Sequence, residues 1–125
     1  MPKENFGIDS LSYGLILDTL SRYRDKLDVV ILFGSRANGN YKHGSDIDLA
    51  LKTKDTRPDA TVQSEIYSIL NEEVNIPYAV DILDYYAITN PRLKDHIDRV
   101  GISITFFWFC VLYRGLYIVN EKNVR

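Results

Sequence analysis

Apolar positions recur at helical spacing near the start of the chain, at Leu11, Leu15, Leu20, Tyr23 and Leu27. The stripe predicts an amphipathic helix over 10–27, with Ser10 placed to cap the free N–H groups of its first turn and Gly14 as a weak point. The period then changes. Val29-Val30-Ile31-Leu32-Phe33 is a short, continuous apolar run, rich in β-branched residues, that stops at Gly34. Such a run predicts a buried strand. From Ser35 to Ser45, polar turn-formers with two glycines and a histidine predict a short helix followed by an exposed loop.

Residues 46–52 alternate, with Ile47, Leu49 and Leu51 on one face of a strand and Asp46, Asp48 and Ala50 on the other. Pro58 and Asp59 lead into Val62, Ile66, Ile69, Leu70 and Val74, which predicts a helix over about 59–74. Beyond Pro77, residues 78–85 read as a third strand. Val80 and Ile82 point one way along it, and Ala79, Asp81 and Leu83 the other. Asn90-Pro91 opens a last helix whose buried edge is Leu93, Ile97 and Val100. Strands alternating with helices, with no internal repeat, predict an α/β fold: a small mixed sheet covered mainly by helices. The run ITFFWFCVLY at 104–113 does not fit the alternation.

Composition narrows the setting. A chain of 125 residues is expected to form one domain spanning 1–125, without room for a separate substrate domain. With 46% hydrophobic and 26% charged residues, it reads as globular rather than disordered. A net charge of −2 gives no sequence-wide pull toward a polyanion, so no direct nucleic-acid partner is expected. Cys110 is the single cysteine, which excludes an intrachain disulfide and fits a reducing cytoplasm. MPKENFGIDS lacks the apolar core of a signal peptide and the 104–113 run is too short for a membrane span. A cytoplasmic protein without membrane association is the expectation.

Two segments carry chemistry. Gly34-Ser35 leaves a buried strand and enters a helix, which can present backbone N–H groups and a hydroxyl to an anion such as phosphate. The plainer alternative is a tight turn with a cap. Asp46 and Asp48 are harder to treat as incidental, because Asp is unfavourable in strands and carboxylates at i and i+2 share a face and repel. Divalent cations would offset that repulsion, and hard oxygen ligands suit Mg²⁺. Asp81 lies on the face opposite Val80 and Ile82. If its strand neighbours the second, three carboxylates converge on one sheet face as a two-metal site needs. Asp46 and Asp48 would then bridge two Mg²⁺ ions, and Asp81 would hold the ion at an attacking hydroxyl and take its proton. Asp84 is assigned instead to a solvated or core-edge position.

Gly34-Ser35 after a hydrophobic strand, ten intervening residues, Asp46-x-Asp48 and a third Asp on a later strand together resemble the polymerase-beta-like nucleotidyltransferase superfamily. The fuller form, GSRANG followed by SDIDLAL, is similar to its smallest branch, the minimal nucleotidyltransferases. The resemblance covers about residues 10–103 and implies the polymerase-beta-like nucleotidyltransferase fold. It also implies that Gly34 and Ser35 grip the triphosphate of ATP, that Asp46 and Asp48 ligate both Mg²⁺ ions, and that Asp81 completes the site. For Arg36, in the GSRA segment, a role in contacting phosphate or bracing the loop stands level with the plainer alternative of an ordinary exposed arginine. Several members of the branch are antitoxins paired with a HEPN-type RNase toxin and resemble enzymes that adenylylate a toxin tyrosine. The implied activity is transfer of AMP to such a hydroxyl, with the HEPN-type toxin as partner.

Two alternatives stand beside that activity: transfer to a small molecule such as an aminoglycoside, and neutralisation of a partner by binding alone. The apolar tail, 104–119, departs from the family pattern. It is assigned to a last core element or to a surface covered in an oligomer or toxin complex. His43 reads as a loop residue, His96 as a helix-surface histidine, and Tyr41 as a residue in the loop over the nucleotide site and a candidate for stacking there.

Overall fold

The computed structural model describes residues 4–104. Four strands, β1 (Leu27–Phe33), β2 (Ile47–Thr53), β3 (Val80–Asp84) and β4 (Ile102–Ile104), form one sheet in the order β3-β2-β1-β4. β1 pairs antiparallel with both β2 and β4, whereas β2 and β3 are parallel. A parallel pair needs a crossover, and α3 (Ala60–Ser68) supplies it. The sheet is mixed, as the alternation of elements requires.

Helix α1 (Ser10–Ser21) is shorter than the apolar stripe suggested, and Asp9, not Ser10, caps it by accepting from Ser12 N at 2.8 Å. Tyr23 and Leu27 keep the helical period but lie beyond the helix. Lys26 N and Leu27 N both donate to the Tyr23 carbonyl in a turn, and Leu27 pairs with Thr53 as the first residue of β1. The expected 59–74 helix divides into α3, capped by Asp59, and a π-helical turn, Ile69–Glu73. Helix α4 (Pro91–Val100) begins as read, with the Asn90 side chain accepting from Arg92 N and Leu93 N. β4 begins two residues ahead of the run, from Ile104 on, that sequence assigned to a last core element. The tail 105–119 lies outside the described residues.

One sheet face packs against α1 and α3. Leu17, Leu20, Val62, Ile66 and Leu70 meet Val30, Leu32, Ile47, Leu49, Leu51, Val80 and Ile82, all buried. Burying a side chain of this size contributes about 1.5–3 kcal/mol, so this layer fixes the register of β2 and β3. A one-residue slip would turn every apolar residue outward. The opposite face carries a smaller cluster of Phe33, Ala50, Tyr85 and Ile97. It covers only part of that face and leaves the sheet end near Phe33 open to chemistry.

Candidate active site

Register, not proximity in sequence, assembles the acidic residues. Phe33 pairs with Asp48, and Asp48 pairs with Asp81, so one row crosses three strands with all three side chains on the face away from α1 and α3. Directly opposed residues on adjacent strands are about 5 Å apart. Asp46 immediately precedes β2 and is exposed, like Asp81, while Asp48 is half-buried. None of these three carboxylates takes a hydrogen bond or ion pair from the described residues. Other aspartates are committed: Asp9 and Asp59 cap helices, Asp98 accepts from the Tyr85 hydroxyl at 2.6 Å, and buried Asp84 accepts from Asp59 N at 2.6 Å and Tyr86 N at 3.0 Å. Asp84 is thus a core-edge carboxylate tying α3 to β3.

Burial holds the Asp48 carboxyl above its ordinary pKa, and the negative charges of Asp81 and then Asp46 push it further; Arg36 and His96 oppose the shift. As they stand, no three His, Cys, Asp or Glu side chains among the described residues are gathered closely enough to enclose an ion. Uncommitted hard oxygens on one face are nevertheless a donor set whose mutual repulsion a divalent cation would relieve. The residues fit Mg²⁺ by chemistry, with closure of the ligands around an ion left to binding.

Gly34 meets this row from β1. Its φ of +77° with ψ of −156° favours glycine, and a Cβ there would run into a carboxylate oxygen of Asp48. The turn thereby brings backbone close to the carboxylates and starts α2 (Ser35–Asn38), whose first N–H groups have no side-chain cap. Ser35 keeps its hydroxyl uncommitted beside them.

Arg36 has the brace geometry. It is 3% exposed, with Nε and Nη2 donating to the Ser45 carbonyl at 3.2 and 2.8 Å and Nη1 donating to the Phe6 carbonyl at 3.0 Å. The guanidinium also lies 4.9 Å from the centres of both the Tyr41 and Tyr78 rings. A side chain so engaged is not offered to a phosphate; it pins the loop whose next residue is Asp46. Tyr41 packs on Arg36 and Gly7, a structural placement in place of the stacking role considered from sequence.

His43 is exposed on its loop. His96 is half-buried, edge-on to Phe33 with ring centres 6.4 Å apart, and its charge is felt at Asp48. The surface assignment for it therefore needs correction. Its position was legible: Leu93, His96, Ile97 and Val100 follow the i, i+3, i+4, i+7 stripe of a core-facing helix.

A row of uncommitted carboxylates thus lies beside a glycine turn on a mixed α/β sheet. Residues 16–105 match the family model for polymerase beta, nucleotidyltransferase, and the chain belongs to that family: it is a nucleotidyltransferase. A Methanocaldococcus jannaschii protein named "Putative protein adenylyltransferase MJ0141" is 28% identical over 82 residues, 65% of this chain and 82% of that protein. Among solved structures, a toxin–antitoxin with AMP-PNP aligns at TM-score 0.55 and 21% identity, covering 86% of this chain and 94% of the other. A mutant of the MntA-HpeT toxin–antitoxin aligns at TM-score 0.56 and 19% identity, covering 87% and 92%. At these identities the two structures speak to the fold. Among the described residues, no helix is long and apolar enough to cross a membrane.

Proposed function

We propose that this nucleotidyltransferase transfers AMP from ATP to a hydroxyl of a partner protein, a tyrosine of a HEPN-type RNase toxin, and so acts as an antitoxin. The observation that carries the chemistry is the pairing of Asp48 with Asp81 in adjacent strands, both uncommitted, with Asp46 two residues ahead and Gly34-Ser35 alongside. The adenylyltransferase name of the archaeal relative and the toxin–antitoxin context of the structural neighbours support the acceptor.

In this reading Asp46, Asp48 and Asp81 would hold Mg²⁺, which would supply Lewis-acid stabilisation of the attacking and leaving oxygens. Gly34 N–H and the Ser35 hydroxyl orient the triphosphate. The acceptor oxygen bonds to the α-phosphorus, the bond from that phosphorus to the bridging oxygen of the β-phosphate breaks, and pyrophosphate leaves. The hydroxyl proton passes to the Asp81 carboxylate. Arg36 keeps the loop carrying Asp46 in place throughout.

The test mixes the protein with ATP, Mg²⁺ and the product of the neighbouring gene, with mass spectrometry of the neighbour. An AMP adduct that disappears with Asp46→Asn or Asp48→Asn is the expected result. Undiminished neutralisation of the neighbour by either variant would overturn the catalytic reading in favour of occlusion.

A further inference from the structure

β3 is an edge strand among the described residues, yet three of its outward backbone groups bond side chains. The Asn71 side chain accepts from Val80 N at 2.9 Å and donates to the Val80 carbonyl at 2.8 Å, while Gln63 Nε2 donates to the Ile82 carbonyl at 2.8 Å. The remaining Asn71 amide proton goes to the Tyr67 carbonyl at 3.0 Å, so the side chain has one orientation that satisfies every bond. Asn71 sits in the π-helical turn, whose wider winding departs from the α-helical path of α3. The two amides bind the residues on either side of Asp81, which itself takes no side-chain hydrogen bond.

We infer that Asn71, seconded by Gln63, is a positioning residue for the third carboxylate. The two side-chain amides stand in for a further strand along the free edge of β3 and hold Asp81 in register against Asp48. A five-residue edge strand is prone to fray, and an ion shared between carboxylates on two strands tolerates little displacement of either one. The inference rests on the reading of Asp81 as a metal ligand.

The test uses the full chain and Mn²⁺ alone, with affinity read by electron paramagnetic resonance at low temperature and a melting curve recorded for each variant. Asn71→Ala should weaken Mn²⁺ binding about tenfold, as loss of a ligand's supporting partner does. Asn71→Asp, which keeps the acceptor for Val80 N–H but has no donor for the carbonyl, should fall between Asn71→Ala and wild type. In turnover, kcat should fall with KM for ATP held. Should Asn71→Ala fail to fold, Gln63→Ala and Asn71→Asp carry the same comparison. A variant that melts earlier but binds Mn²⁺ like wild type at low temperature shows a merely structural amide and overturns the inference. Asp81→Ala separates the two levels: if it loses Mn²⁺ while the Asn71 and Gln63 variants do not, only the inference falls. If Asp81→Ala binds as wild type, both fall.

Discussion

Removing one charge from the carboxylate row should stabilise the metal-free protein while destroying its activity. Asp48 stands opposite Asp81 across β2 and β3, about 5 Å away by the spacing of paired strands. Two unit charges at that separation repel by about 0.8 kcal/mol in bulk water and about 3 kcal/mol at an effective dielectric of 20. Asp81 is exposed, so the low end applies, and Asp48→Asn should gain about 1 kcal/mol, roughly 4 °C in Tm for a domain of this size. The pH dependence has a definite sign. Because the folded protein raises the Asp48 pKa, the stability this group lends is complete below about pH 3.9, the unfolded value, and is lost as pH rises through the folded one. At neutral pH only the cost remains. The assay is thermal unfolding of both proteins in a chelator and then in Mg²⁺. Wild type should melt below the variant in chelator and gain from Mg²⁺, whereas Asp48→Asn should start higher and respond little. A variant that melts at or below wild type in chelator, and still gains fully from Mg²⁺, would refute the repulsion argument and the ligand role together.

Gly34→Ala should cost about 1–3 kcal/mol from the positive φ, more with displacement of Asp48, and urea unfolding with parallel Mn²⁺ titration should show both losses. Arg36→Lys should not restore what Arg36→Ala removes, because an ammonium cannot serve the Ser45 and Phe6 carbonyls as a fork does. Truncation to alanine should cost about 1–3 kcal/mol through carbonyls left unsatisfied, read by urea unfolding, and matching stabilities for the lysine variant and wild type would contradict the brace. The Asp9 pKa is lowered chiefly by the Ser12 backbone bond. Asp9→Ala removes this cap and should cost about 1 kcal/mol near neutrality, with the difference shrinking as pH falls through the folded Asp9 value. Tyr85, its phenol held by Asp98 and then by burial at a pKa of about 12, should ionise late in an alkaline absorbance titration, and that late phase should be missing in Tyr85→Phe.

The inward faces of the strands were legible because burial enforces a strict period. Ile47, Leu49 and Leu51 are all buried, as are Val80 and Ile82, and the phase that buries them turns Asp48 and Asp81 to the other side. What alternation cannot convey is which strands become neighbours; the meeting of residues 48 and 81 depends on the parallel crossover through α3. The end of α1 was misread because Tyr23 and Leu27 keep a helical period while long-range pairing with Thr53 claims Leu27 for the sheet. The start of β4 was missed because Ile102 and Ser103 run into the apolar stretch from Ile104 without a boundary. Arg36 could not be assigned from its motif alone. Its decisive partners, the carbonyls of Phe6 and Ser45, lie 30 and 9 positions away in sequence.

The Phe6 carbonyl belongs to a short turn, Glu4–Gly7, in which Asn5 and Phe6 adopt left-handed conformations, and this turn precedes the family match that begins at residue 16. A truncation made at the family boundary would keep all three aspartates of the row yet strip Nη1 of Arg36 of its acceptor. Such a fragment would carry the whole signature on a slackened Ser45–Asp46 loop.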